Sequence, residues 1–282
     1  MTAESLNFKH FQIYGLRDGF FCLDGGAMFG VVPKTLWEKK YPSDERNRIR
    51  LGLNSILIRS GDKNILVETG IGTHLDSKYN DLYSLDLQPG LVNELKSVGL
   101  EREDIDYVIN THLHFDHCGG NTFLDTRGKV VPTFPHAEYI VQKGEWDCAC
   151  LPTPRDKSSY LEKYFLPLEE HRQLHLVEGD TRILKGVEVL LSPGHTAFHQ
   201  CVKIESEGQV LFFLGDMVPT SGHVGLPYVM SYDLFPIQTM QNKEKFYRLA
   251  EEEDWTMAFN HDPEYFFGKI DNKDGKYFFR RA

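Results

Sequence analysis

The chain has 282 residues, of which 41% are hydrophobic and 26% charged, and its formal net charge is −10 at pH 7. This composition is typical of an ordinary globular protein, and the acidic balance disfavours nucleic acid as a partner because a phosphate backbone would be repelled. No apolar run reaches the roughly 18 residues of a membrane span, and the N-terminus lacks a secretory pattern. We therefore expect a cytoplasmic protein with no membrane partner.

The first half of the chain predicts a hairpin, a helix and a short strand. Residues 54–70 (NSILIRSGDKNILVETG) contain two apolar runs around a glycine-containing turn, which predicts a β-hairpin. Residues 89–100 have apolar side chains at helical spacing and Gly99 in place as a stop. Residues 105–110 predict a buried strand that leads directly into the sequence NTHLHFDHCGG.

The second half predicts three more strands, each ending in a loop that opens with a histidine or an aspartate. They lie in 187–196, 209–218 and 255–262. Side chains at strand ends on one rim of a sheet can converge on a point.

Two irregular segments complete the organisation, for which we expect a single domain over 1–282. The segment 18–50 is interpreted as a lid or a dimer arm. The segment 143–175 is interpreted as an insert over or beside the site, with a short helix around 158–166.

The densest chemical signal is the sequence from His112 to His117, which places four strong metal-ligand side chains within six positions. Neutral imidazole nitrogen and carboxylate oxygen are ligands for zinc and similar divalent ions. His112 and His114 could bind one ion, while Asp116 and His117 could turn towards a second ion.

Each ion needs further ligands, and the three later strand ends could supply them. His195 could complete the first set, His261 could complete the second, and Asp216 could bridge both ions through its two oxygens. The expected result is a pair of ions roughly 3.5–4 Å apart, as in two-metal hydrolases.

These motifs resemble the metallo-β-lactamase-fold hydrolases over essentially the whole chain, from ILVETG (65–70) through PGHT and LGDM to NHD. The resemblance implies an α/β fold, a four-layer αββα sandwich. It also implies that one metal is held by His112, His114 and His195, the other by Asp116, His117 and His261, with Asp216 as the bridge. Glu68 stands where many members have an aspartate that orients the ligands.

Within that family, THLHFDHCGGN is most similar to the quorum-quenching N-acyl-homoserine-lactone lactonases. The resemblance implies that a metal-bridging hydroxide opens a lactone ring or a related carboxylic ester. Asp116 or Asp216 would then relay a proton to the leaving alkoxide.

Characterised lactonases carry a tyrosine three residues after the bridging aspartate, where this chain has Pro219. An oxyanion needs only a well-placed hydrogen-bond donor, so His223 is the first candidate, followed by Tyr228 or Tyr232. His199 could hydrogen-bond a ligand.

Two other functions remain open. One is a phosphotriesterase or arylesterase of the methyl parathion hydrolase type, which the stretch 222–236 also resembles, and the other is a non-catalytic metal-binding sensor. We expect two divalent metal ions, zinc first, with manganese, iron and cobalt as alternatives. The expected partner is a small-molecule ester or lactone, and the resembling family suggests a homodimer.

Overall fold

The computed structural model describes residues 4–281 as a mixed α/β structure. The strands, in chain order, are β1 (Glu4–Phe8), β2 (Phe11–Asp24), β3 (Arg48–Ser60), β4 (Lys63–Val67), β5 (Tyr107–Ile109), β6 (Thr122–Leu124), β7 (Val130–Pro132), β8 (Glu138–Gln142), β9 (Leu174–Val177), β10 (Thr181–Leu184), β11 (Val187–Leu191), β12 (Gln200–Ser206), β13 (Gln209–Phe213), β14 (Thr256–Ala258), β15 (Phe267–Lys273) and β16 (Lys276–Arg281).

The α-helices are α1 (Gly25–Phe29), α2 (Lys34–Trp37), α3 (Lys78–Tyr83), α4 (Leu91–Ser97), α5 (Phe115–Cys118), α6 (Lys143–Cys150), α7 (Leu166–Glu170) and α8 (Pro236–Glu252). Short 3₁₀ helices occur at Arg102–Asp104, Gly119–Asn121, Glu162–Tyr164, Gly215–Met217 and Ser221–His223. Among the described helices, none combines the length and the apolar character needed to span a bilayer.

The strands form two large sheets and one small one. The first has the order β1-β2-β3-β4-β5-β8-β9, the second has the order β10-β11-β12-β13-β14-β15-β16, and β6 pairs with β7 alone. The expected hairpin is confirmed, because β3 and β4 are antiparallel and Ser60 pairs with Lys63 across a two-residue turn. Gly61 in that turn has φ 61°, a left-handed conformation that favours glycine.

The described chain divides into two compact units. The first comprises 4–19, Leu53–Asp81 and Asp86–Gly179, and the second comprises Phe20–Gly52, Leu82–Leu85 and 180–281. A buried apolar cluster in the first unit includes Leu57, Leu66, Leu95 and Val108. Helix α4 contributes Leu91 and Leu95 to it, as the apolar spacing predicted.

The second unit has its own core around helix α8. Buried residues recur along this helix at Thr239, Lys243, Phe246, Tyr247 and Ala250, which is the spacing of one helical face. Pro236 begins the helix at a position where its missing N–H costs no hydrogen bond.

The segment 143–175 is more helical than the sequence indicated. It contains α6, which the sequence reasoning did not predict, and the helix expected around 158–166 is replaced by the 3₁₀ turn Glu162–Tyr164 followed by α7. This segment lies in the first unit, whereas 20–50 lies in the second. The single domain with two lid segments stays a prediction.

Candidate metal centre

Strand direction in the first sheet explains why its histidine cluster forms. Strands β4 and β5 are parallel, so their carboxyl ends meet at one edge of the sheet. Glu68 follows β4 and His112 lies just beyond β5, and both side chains are fully buried there.

The structure brings the histidines of the 112–117 sequence together. The ring centroid of His112 lies 4.5 Å from that of His114 and 4.0 Å from that of His117. Asp116 Oδ2 lies 3.8 Å from His117 Nε2. All four side chains are buried, so the first unit presents a compact set of imidazole and carboxylate groups.

Glu68 organises the backbone that carries these candidate ligands. Its Oε1 accepts a hydrogen bond from the amide of Thr111 at 2.8 Å, and its Oε2 accepts one from Asn110 Nδ2 at 3.2 Å. The same carboxylate lies 3.5 Å from His117 Nδ1. Ligand atoms of Glu68, His112 and His117 all lie within 4.8 Å of one another. The glutamate therefore contacts both the backbone at the strand end and a histidine ring.

Two side chains of the 143–175 segment support the same loop, and the sequence reasoning did not identify either. Glu145 is buried and its Oε1 accepts hydrogen bonds from the amide of Leu113 at 3.1 Å and from the Tyr160 hydroxyl at 2.9 Å. The Tyr160 ring packs against His114, with centroids 4.9 Å apart. A glutamate inside a helix gives no sequence signal for this role.

Strand direction also explains the second set of residues. In the second sheet β13 is parallel to β14, while β12 is antiparallel to both β11 and β13. The carboxyl ends of β11, β13 and β14 therefore lie at one edge. His195, Asp216 and His261 follow these three strands, so the chain reaches all three residues from the same edge of the sheet.

Asp216 lies between the two histidines of this set. Its Oδ2 is 3.3 Å from His195 Nε2 and its Oδ1 is 3.3 Å from His261 Nε2. All three side chains are buried.

The other ring nitrogens decide the tautomers of these histidines. His261 Nδ1 lies 2.8 Å from the carbonyl oxygen of Gly52, and His195 Nδ1 lies 3.0 Å from Asp233 Oδ1. A carbonyl and a carboxylate only accept hydrogen bonds, so both Nδ1 atoms carry protons. In the neutral rings, both Nε2 lone pairs then face carboxylate oxygens.

A cation fits this arrangement. Two lone pairs directed at two oxygens of one buried carboxylate repel unless positive charge lies between them. Imidazole Nε2 atoms and carboxylate oxygens form the donor set that zinc and related divalent ions accept. The residues of the second unit are therefore suited to hold metal.

His199 supports Asp216, as one of its sequence interpretations expected. The Asp216 amide donates to His199 Nε2 at 3.1 Å, so His199 Nδ1 carries the proton of the neutral ring and faces Ser192 Oγ at 2.8 Å. The histidine thus fixes the backbone of the aspartate.

Two of the three candidate oxyanion donors, His223 and Tyr232, lie in different environments. His223 is fully buried, with Nε2 2.9 Å from the Met28 carbonyl, Nδ1 2.7 Å from Thr220 Oγ1, and its ring stacked on Phe29. Burial lowers the pKa of His223 to about 3. Both nitrogens are used within the protein, which favours a packing role, and substrate donation by His223 stays a prediction. Tyr232 is 39% exposed and keeps that role as a prediction.

The family assignment follows from a sequence comparison. Residues 49–261 match the model of the metallo-β-lactamase superfamily. The chain belongs to this superfamily. The match spans both units and includes all seven expected ligand positions, and it confirms the fold type that the motifs resembled.

Relatives in the superfamily include lactonases and a hydrolase. An N-acyl homoserine lactonase from a Bacillus species is 34% identical over 164 residues, which are 54% of this chain and 57% of that relative. The chain therefore matches little more than half the length of that lactonase.

Two solved structures match over nearly the whole chain. A probable metal-dependent hydrolase from Staphylococcus aureus is 34% identical, with a TM-score of 0.89 over 98% of this chain and 99% of that chain. A dizinc quorum-quenching lactonase in complex with a product has a TM-score of 0.82 at 18% identity, covering 99% and 97%, and shows likeness of fold.

Proposed function

We propose that this protein is a hydrolase that uses two divalent metal ions to open N-acyl-homoserine-lactone rings or related carboxylic esters. The observation that carries the proposal is the pairing of both Asp216 oxygens with His195 and His261, whose remaining nitrogens are fixed as donors. The lactonase relatives supply the substrate class.

The ligand assignment that we propose follows the family pattern. His112, His114 and His195 would hold one ion, Asp116, His117 and His261 would hold the other, and Asp216 would serve both. Zinc is the first choice, with manganese, iron and cobalt as alternatives for this donor set. When bound, the ions would polarise the substrate carbonyl and provide a water-derived nucleophile near neutral pH, because coordination lowers the pKa of water to about 7.

The protein's own residues would orient the metal-binding side chains and transfer protons during the reaction. Glu68 and Glu145 hold the backbone of the histidine loop through the amides of Thr111 and Leu113. Asp116 or Asp216 would pass a proton to the leaving alkoxide. Tyr232 is the proposed donor to the developing oxyanion, because its side chain is exposed and a phenolic hydroxyl can donate.

One observation favours a second candidate, the hydrolysis of phosphotriesters or aryl esters. The position of the lactonase tyrosine is Pro219, and its carbonyl oxygen accepts the amide of His261 at 2.9 Å. Here the residue fixes a ligand's backbone and offers no hydroxyl to a lactone carbonyl. A phosphoryl oxygen held by metal would not need that hydroxyl.

A substrate panel tests the proposal on zinc-reconstituted protein. It holds homoserine lactones of several acyl lengths, a simple γ-lactone, an aryl ester and a phosphotriester. We expect kcat/KM for a lactone to exceed the others by at least about tenfold, which is about 1.4 kcal/mol of transition-state preference. A higher kcat/KM for the phosphotriester or the aryl ester than for any lactone would support the second candidate. Two bound metals without turnover of any substrate would support the non-catalytic sensor.

A further inference from the structure

The loop that carries His195 is held by one later segment of the second unit. Residues 233–242, here called the clamp, comprise the three residues that precede helix α8 and the first turns of that helix. Three consecutive carbonyls of the loop accept hydrogen bonds from it: Pro193 O from Asn242 Nδ2 at 2.6 Å, Gly194 O from the Phe235 amide at 2.8 Å, and His195 O from the Leu234 amide at 3.0 Å.

The clamp also packs closely against the loop. Gly194 has φ 156°, and a β-carbon at that position would lie 2.7 Å from the backbone nitrogen of Thr239. The loop and the first turn of α8 are therefore in backbone contact. Only glycine leaves the space for this approach.

Asp233 completes the clamp with a side-chain bond to the histidine itself. It is 2% exposed, and its Oδ1 accepts the Nδ1 proton of His195 at 3.0 Å. This bond fixes which nitrogen holds the proton and turns Nε2 towards Asp216. A carboxylate that accepts a hydrogen bond from one ring nitrogen also makes the other nitrogen a stronger ligand for a metal.

We propose that the clamp is a positioning element for His195 and that Asp233 is its main positioning residue. The proposal rests on the proposed function, because it needs a metal at His195 Nε2. His195 is assigned to only one of the two ions. The loss of the Asp233 carboxylate should therefore lower the affinity for one of the two metal ions and leave the affinity for the other nearly unchanged.

The test is stepwise zinc binding to metal-free protein against a chromophoric chelator, with no activity readout. Asp233→Asn keeps the shape and an oxygen for the Nδ1 proton but removes the charge. We expect one of two affinities to fall by about 10- to 100-fold, as is usual for outer partners of metal-bound histidines, and the other to stay within about threefold. Asp271→Asn is the matched control, because Asp271 forms a more exposed ion pair with Arg280.

A second variant protects the test against misfolding. Asn242→Ala removes only the bond to Pro193 O, and we expect it to weaken the same metal step by a smaller factor. Circular dichroism would check that each variant keeps the wild-type secondary structure.

The outcomes separate the two proposals. Wild-type protein that binds fewer than two zinc ions would contradict the two-metal function itself. Wild-type protein that binds two ions, with Asp233→Asn and Asn242→Ala binding both equally tightly, would overturn the clamp and leave the function standing.

Discussion

Tyr160 and Glu145 form a buried hydrogen bond beside the histidine cluster of the first unit, and Tyr160→Phe removes only its donor. The ring that packs on His114 stays in place in this variant. Burial, together with the nearby Glu145 charge, raises the pKa of Tyr160, so its hydroxyl remains a donor over the whole working range. The expected loss is therefore that of one hydrogen bond to an ionised group.

The size of the effect follows from the contacts. A hydrogen bond to a charged group contributes about 1.5–3 kcal/mol, and Glu145 keeps the Leu113 amide as a partner in the variant. We expect Tyr160→Phe to lower the free energy of unfolding by about 2 kcal/mol. Tyr160→Ala should cost more, about 3–5 kcal/mol, because the ring contact with His114 is also lost.

The assay is denaturant unfolding of the metal-free proteins, with turnover measured separately after zinc reconstitution. Tyr14→Phe is the matched control, since its hydroxyl bonds Gln12 on the surface at 3.3 Å and should contribute little. Turnover of Tyr160→Phe should stay within about threefold of wild type, because the hydroxyl is committed to Glu145. Equal losses of stability in Tyr160→Phe and Tyr14→Phe would refute the reasoning.

Three further changes test other parts of the account. Burial raises the pKa of Asp18 to about 6 from 3.8, so the folded state binds the carboxyl proton more tightly than the unfolded state. The stabilisation from this proton is fully present below about pH 4 and is lost as pH rises through 6. Relative to metal-free Asp18→Asn, wild type should therefore lose up to about 3 kcal/mol of unfolding free energy between pH 4 and pH 7; a constant difference in urea titrations would contradict this. Gly119→Ala places a β-carbon 2.9 Å from Ile71 Cα and closer to the Ile71 carbonyl. We expect the free energy of unfolding to fall by about 1–3 kcal/mol and zinc binding to weaken. Unchanged values would show that the loops carrying Gly119 and Ile71 can separate freely. His223→Phe should reduce stability, while kcat per folded, metal-loaded molecule stays within about threefold of wild type. A 100-fold or greater fall in kcat would support His223 as the donor to the substrate.

The sequence indicated the parts of the site that lie in short, regular patterns. The 112–117 cluster shows its candidate metal ligands by density alone, and His195, Asp216 and His261 were proposed because each follows an apolar strand. The hairpin at 54–70 and helix α4 were predicted for the same reason, since period and turn residues are local signals.

The supporting residues could not be predicted because their partners are distant in sequence. Asp233 meets His195 across 38 positions, and Glu145 meets Leu113 across 32. Neither residue ends a strand or belongs to a motif. His223 is a different case, because its position shortly after Asp216 in the sequence suggested chemistry, whereas its stacking on Phe29 is visible only in the fold.

The most direct test of the central claim is zinc stoichiometry and lactone turnover measured on one sample of wild type and of His114→Ala. We expect two zinc ions per chain and turnover of a homoserine lactone in wild type. His114→Ala, folded by circular dichroism, should lose at least one ion and nearly all turnover. Full turnover in His114→Ala, or turnover by wild-type protein stripped of metal, would contradict a two-metal hydrolase.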